Sequence, residues 1–336
     1  MSKVTPQPIQ QPQFWLLVPT FNPGVVAWKQ WVQALQIQNC KPSQVIVVDS
    51  GSTDGTLELS QKAGFSVFHT LAKDFNHGGT RQWALEQALQ LSSEPPELLV
   101  LLTQDALLNT DKALAKLLKS FENPKVAATF GRQIANQGAS WLEVHARSFN
   151  YPEASRTVKW EDKARLGIKA CFLSNSFSAY RLKALQQVGG FPNNFPLGED
   201  TYTAAQLLKE GHLIGYQASA SVYHSHNYNG RQDFQRMFDT GVFHAQNPWM
   251  LQSFGAAEGE GIKLLVSQWR YLTNSNPSMQ TEMTASKPNV LLGIAQLISV
   301  NGIKWVGYKL GRAYQHLPQF LVNKFAMHKP YWQPKS

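Results

Sequence analysis

Cysteine is nearly absent from this 336-residue chain. The two present, Cys40 and Cys171, lie far apart with neither metal nor redox spacing, which fits a reducing cytosol. Long apolar runs are also missing. The longest near the end, residues 290–300, is too short to cross a bilayer, so no integral membrane segment is expected. Residues 1–13 are rich in Gln and Pro and lack an apolar core, which excludes a signal peptide and reads as a disordered lead-in. There are no internal repeats and no G-x-G-x-x-G, which removes the dinucleotide fingerprint. Acidic residues stop at Glu282, yet Lys287, Lys304, Lys309, Arg312, Lys324, Lys329 and Lys335 follow, so seven of the nine net positive charges lie beyond it. That asymmetry points the tail toward an anionic partner, membrane lipid or nucleic acid, unless it is simply a solvated basic face.

What is present suits a large α/β domain with an appendage, or two domains, since a hydrophobic share of 43% is ample for a core. Leu98-Leu99-Val100-Leu101-Leu102 is too short for a helix and unbroken by polar residues, so it predicts a strand buried on both faces. Similar strands are expected at residues 14–18, 45–48, 66–69 and 126–130. Helical spacing covers 25–38, 56–63, 80–91 and 112–121 between them. Repeated β-α units imply a doubly wound parallel sheet.

In such a sheet, ligands gather at the carboxyl ends of the strands, so the loops there carry the chemistry. Asp105 ends the 98–102 run and is placed to give a hard oxygen to a divalent cation, or else to cap the next turn. Asp49-Ser50-Gly51-Ser52-Thr53-Asp54-Gly55-Thr56 follows the second strand. There Asp49 can accept from a uracil or thymine imide N–H and Asp54 can cap the helix, though a plain capped turn has the same pattern. Gly78, Gly79 and Arg81 at a helix start suit a diphosphate.

Pro19-Thr20-Phe21-Asn22, residues 47–56, Thr103-Gln104-Asp105 and Gly198-Glu199-Asp200 together resemble inverting nucleotide-sugar glycosyltransferases of family 2, with the GT-A fold. Residues 75–81, 102–106, 175–181, Gly189-Gly190-Phe191-Pro192 and His224-Ser225-His226-Asn227-Tyr228 are similar to its rhamnosyltransferase branch, which builds O-antigen, capsule and related glycans from dTDP-L-rhamnose. The resemblance covers residues 14–245, and the ending at 309–332 is also similar to this branch.

The resemblance implies a donor site of Pro19, Thr20, Asn22, Asp49, Gly51, Asp54, Gly78, Gly79, Arg81, Gln104 and Asp105, with Asp49 on the base. Asp105 matches the last residue of the family's Asp-x-Asp motif, which binds Mg²⁺ or Mn²⁺. Here the first aspartate is replaced, so other ligands must help, with His224 and His226 as candidates. Asp200 takes the role of general base and Glu199 that of orienting the acceptor, although both also suit a helix N-terminus. Residues 175–180 and the 189–192 turn would wall the acceptor side, with Trp141 and Trp160 as sugar-stacking aromatics.

Beyond Gly255, the residues Ile262, Leu265, Val266, Trp269 and Leu272 share one helical face, residues 274–288 read as a polar linker, and 290–314 read as helix. Aromatics among bases and no acids suit an interfacial surface on anionic lipid; packing on the sheet or a dimer contact is the plainer alternative. A nucleic-acid surface would carry the same charges but has no task beside these motifs. The expected organisation is a lead-in at 1–13, a GT-A domain at 14–250 and a basic, aromatic-rich helical region at 251–336. The expected activity is metal-dependent, inverting transfer of a sugar, L-rhamnose from dTDP-L-rhamnose, to a lipid-linked saccharide at the cytoplasmic membrane face. The alternatives are a UDP-sugar donor or a non-catalytic glycan-binding subunit.

Overall fold

The computed structural model describes residues 13–273 and 288–333. The lead-in, except Gln13, and the linker, except Pro288, therefore lie outside the described residues, as do Lys287 and Lys335. Nine strands form one sheet: β1 Phe14–Thr20, β2 Gln44–Asp49, β3 Ser66–His69, β4 Leu98–Leu102, β5 Leu107–Leu108, β6 Val126–Ile134, β7 Arg156–Val158, β8 Phe177–Arg181 and β9 Leu213–Tyr223. Their order is β3-β2-β1-β4-β8-β6-β9-β5, with β7 beside β9. From β3 to β4 the strands are parallel. All five residues of β4 are buried, which is why its pattern is continuous rather than alternating. The helix Val25–Gln36 covers one face with Trp28 and Trp31, stacked at 4.6 Å.

A purely parallel reading fails after β4. β8 runs antiparallel to both β4 and β6, pairing Phe177 with Leu102. The reversal brings the start of β8 to the carboxyl edge of β4, where Thr103 N donates to Ser176 O at 3.2 Å. β9 runs parallel to β6, and the short β5 folds back onto its end, Leu107 against Tyr223. The Asp105 turn is thereby held beside the residues that leave β9.

The C-terminal part is not a detached appendage. Met250 and Phe254 are buried in the main core. The helices Gly230–Gln246 and Val290–Arg312 approach backbone to backbone: a Cβ on Gly311 would lie 2.0 Å from Phe238 O, and one on Gly307 2.5 Å from Phe234 O. The second helix corrects the expectation from residues 290–300. It runs 23 residues and is long and apolar enough, by length and composition, to cross a membrane. Asn301 does not end it, because its amide donates to Leu297 O within the helix and to Gln268 Oε1. The face expected on Glu258–Thr273 is only half used: Leu272 is buried, while Ile262, Val266 and Trp269 are exposed.

Candidate active site

The carboxyl ends of β1, β4 and β9, the start of β8 and the helix Glu199–Lys209 surround a cavity of about 730 Å³. Asp105, His224 and His226 meet at its edge. Asp105 Oδ2 lies 3.4 Å from His224 Nε2 and 3.7 Å from His226 Nε2, separations that one cation can bridge. The cluster thus fits a divalent metal with one hard oxygen and two imidazoles. Gln133 sets the tautomer of His224. Its Oε1 accepts from Arg147, so the ring nitrogen 2.9 Å from that oxygen, His224 Nδ1, must donate, and Nε2 faces Asp105 as a lone pair. Partial burial raises the Asp105 carboxyl, but His224, in the form where its Nε2 also carries a proton, together with Thr103 and His226, holds it well below the usual carboxylate range. Burial, with His224 beside it, lowers the His226 imidazole to about 4, leaving it neutral and able to ligate at pH 7.

Asp200 stands at the first turn of its helix, whose N-cap Gly198 has φ 91°, a conformation that favours glycine. Its Oδ1 accepts from Thr201 N at 2.7 Å and its Oδ2 from Asn175 N at 3.3 Å. Burial and the adjacent Glu199 charge push the Asp200 carboxyl up to about 7 against these bonds and Arg81. Glu199 is held apart from it. Its Oε1 pairs with Arg81 Nη1 at 3.0 Å and accepts from Asn175 Nδ2 at 3.2 Å. Asn175 Oδ1 accepts from the Ser178 and Tyr180 hydroxyls, so its amide orientation is fixed.

Several expected donor contacts are spent elsewhere. Gly78 N and Gly79 N donate to Asn76 Oδ1 at 3.2 and 2.9 Å, capping the helix His77–Gln90, which starts three residues earlier than its spacing predicts. Gly78 is needed for packing, because a Cβ there would lie 1.8 Å from Pro192 O. That contact also places the 189–192 turn behind the helix rather than on the acceptor wall. Arg81 lines the cavity, but its partner is Glu199. Asp49 is fully buried and takes bonds from Thr20 Oγ1, Ser52 Oγ and the N–H groups of Gly51 and Ser52, so it orders its loop from within. Asp54 caps through Thr56 and accepts from Gly24 N at 2.6 Å, while Asn22 accepts from Thr53 N at 2.8 Å. The Gln104 amide both accepts from Phe21 N at 2.7 Å and donates to Phe21 O at 3.2 Å, a double clasp that a carboxylate could not make. Pro19 and Thr20 line the cavity; Gly51 does not, its N–H being turned onto Asp49.

Both tryptophans leave the sugar role. Trp141 is 6% exposed, stacks on Tyr271 and donates to Gln296. Trp160 packs edge-on against Phe254 under Lys163. Residues that the sequence reading passed over line the cavity instead: Gln133, Arg147, Arg236 and, from the tail, Met327 and His328. The tail is tied down by Asp239, whose Oδ2 accepts from Met327 N and His328 N at 3.0 and 2.9 Å. His328 Nε2 lies 2.9 Å from His77 Nε2. Only the resemblance of residues 309–332 signalled a place for the tail.

Residues 12–238 match the family described as glycosyltransferase like family 2. The chain is 41% identical over 321 residues, 96% of each chain, to the O-antigen chain rhamnosyltransferase WbaN of Salmonella anatum. It is 40% identical over 318 residues to the O-antigen chain rhamnosyltransferase RfbN of Salmonella typhimurium, covering 94% of this chain and 95% of that one. Among solved structures, the mannosyltransferase PcManGT from Pyrobaculum calidifontis, in complex with GDP-Man and Mn²⁺, superposes with a TM-score of 0.56 at 17% identity, covering 94% and 91% of the two chains. Residues 1–349 of TarS from S. aureus give 0.53 at 15%, covering 90% and 91%. These last two share the GT-A fold. By its matched length and its relatives, the chain belongs to glycosyltransferase family 2, in the branch that holds these rhamnosyltransferases.

Proposed function

We propose that the protein transfers L-rhamnose from dTDP-L-rhamnose, with inversion, to a lipid-linked saccharide in O-antigen synthesis. The relatives' names and the residues lining one cavity support this reading. Asp200 carries it: it lines that cavity, held by Thr201 N and Asn175 N beside Glu199, with its carboxyl raised by burial and the Glu199 charge. A carboxylate so poised takes the acceptor proton as the acceptor oxygen bonds to the anomeric carbon, while the bond from that carbon to the diphosphate breaks on the opposite face. Glu199, locked by Arg81 and Asn175, keeps negative charge beside Asp200 and so maintains its basicity.

Asp105, His224 and His226 would hold Mn²⁺ or Mg²⁺, the imidazoles favouring Mn²⁺. Such an ion supplies positive charge to the leaving diphosphate. The base of the donor lies against the loops at residues 19–22 and 49–54, which Asn22, Asp49 and Gln104 hold in shape. The reaction takes place at the cytoplasmic membrane face. Calorimetry with dTDP-L-rhamnose, UDP-sugars and GDP-sugars in the presence of Mn²⁺ tests the donor. Thymidine or uridine donors bind and guanosine donors do not, and tight binding of a GDP-sugar overturns the assignment.

A further inference from the structure

A second cleft, of about 980 Å³, opens from the catalytic cavity between the helices Glu258–Thr273 and Val290–Arg312. The two spaces share Arg147, His226, Tyr228 and Arg236 in their linings. Away from that seam the walls are mostly apolar, with Ile262, Leu265, Trp269, Leu297, Ile298 and Trp305, and the charged Asp233, Glu258, Arg270 and Lys304 also line it. Ile262, Trp269, Ile298 and Trp305 are also exposed, so the cleft opens to the outside along an apolar rim.

Two of the lining residues are glycines. Gly261 and Gly302 line the cleft within helices, and a Cβ on either would meet nothing within 4 Å. Glycine weakens a helix interior relative to alanine. Gly307 and Gly311, on the packed side of the same helix, are explained by backbone contact; these two are not. The space beside them is open, so a bulky side chain placed at either position would enter the cleft.

At the seam stands a cation. Arg147 is paired with Glu143, and Lys304 with Asp233. The Arg236 guanidinium lies 5.9 Å over the Tyr228 ring and makes no ion pair among the described residues. The resulting order is a catalytic cavity, an unpaired guanidinium and an apolar trough.

We infer that this cleft binds the hydrocarbon chain of a lipid-phosphate acceptor, with Arg236 at the phosphate and the sugar reaching Asp200. The inference rests on the glycosyl-transfer reading above and adds where the acceptor's carrier lies. A chain seated there brings the sugar in along a fixed line, and the exposed rim lets it enter from a bilayer.

Farnesyl diphosphate is the probe, with inorganic diphosphate and farnesol as controls and full-length protein throughout. Calorimetry should give it at least tenfold tighter binding than either control. Gly261→Phe and Gly302→Phe should each weaken it at least tenfold, and Arg236→Ala should bring it to the level of farnesol. Nucleotide binding in wild-type and variants reports separately on the glycosyltransferase reading and on folding. Should a variant lose nucleotide binding as well, photocrosslinking of a benzophenone-bearing prenyl diphosphate to wild-type protein decides instead. Labelling within 261–270 or 297–305 supports the inference, and labelling elsewhere overturns it. Farnesyl diphosphate binding no tighter than inorganic diphosphate, full affinity in the folded phenylalanine variants, or equal competition by phospholipid vesicles also overturns it.

Discussion

His224 sets its Nδ1 2.9 Å from the side-chain oxygen of Gln133, and that contact decides which ring nitrogen faces Asp105. Gln133→Ala should therefore lower Mn²⁺ affinity by about 10–100-fold, the usual effect of losing a partner that orients a metal ligand. Titration of Mn²⁺ by calorimetry checks this. An unchanged affinity would mean that the ring is held by other contacts.

Asp105 gives the cluster its only carboxylate. Asp105→Ala should remove activity and the metal-enhanced part of donor binding while leaving the melting temperature close to wild type, because the side chain is half exposed. Wild-type activity that survives exhaustive chelation would contradict the metal role.

For Asp200 the sign of the pH dependence follows from its raised carboxyl. Below about 7 the group is protonated and cannot accept the acceptor's proton; above it the base form prevails. The rate should rise with pH through about 7 and then level off. Asp200→Asn should cost kcat at least ~10²-fold, with donor affinity little changed, and should abolish that acid limb. A loss confined to donor affinity would make Asp200 a binding residue.

The Arg81–Glu199 pair is nearly inaccessible, with side chains 4% and 7% exposed. Arg81→Met strands a buried carboxylate and should destabilise the fold by about 3–5 kcal/mol. Adding Glu199→Met should recover most of that loss in chemical denaturation, even though activity stays low. Additive losses in the double variant would show that the two residues act independently.

The basic tail is less free than its composition implies, since Lys304 pairs with Asp233 and Lys309 with Glu258. Arg312, Lys324 and Lys329 remain without ion pairs among the described residues, beside exposed Trp305 and Phe320. Each such cation contributes about 1 kcal/mol at an anionic surface. The protein should pellet with anionic vesicles at low salt and be released as salt shortens the Debye length. Lys324→Glu with Lys329→Glu should weaken this, while indifference to such vesicles in full-length protein would make the tail a packing or dimer element.

The elements up to β6 were legible, the short β5 excepted. Unbroken apolar runs such as 98–102 must be buried on both faces, so β1, β2 and β4 could be read directly. A carboxylate that ends such a run must sit at the sheet's carboxyl edge, which placed Asp105 at the cavity. What no local pattern encodes is the partner. Gly78 and Gly79 looked free to hold a diphosphate, but Asn76 takes their N–H groups and Pro192, more than a hundred residues away, fills the space above. Arg81 looked like a phosphate ligand, yet a carboxylate from a distant helix reaches it first. Periodicity reports that a side chain is buried, as with Leu272, and not against what.

The sequence by itself therefore determined β1 to β4 and β6, the loops at their ends and, through the family resemblance, the acidic and histidine residues that the chemistry needs. Only the tertiary structure decided which of those groups stay unpaired. The reversed β8 carries Asn175 to Glu199 and Asp200, Asp239 draws the tail across the helix start at His77, and two glycine-bearing helices leave a cleft open beside the site. Each is a contact between segments far apart in the chain. A residue's short-range pattern carries no record of such a meeting, because burial is a property of one segment and pairing a property of two.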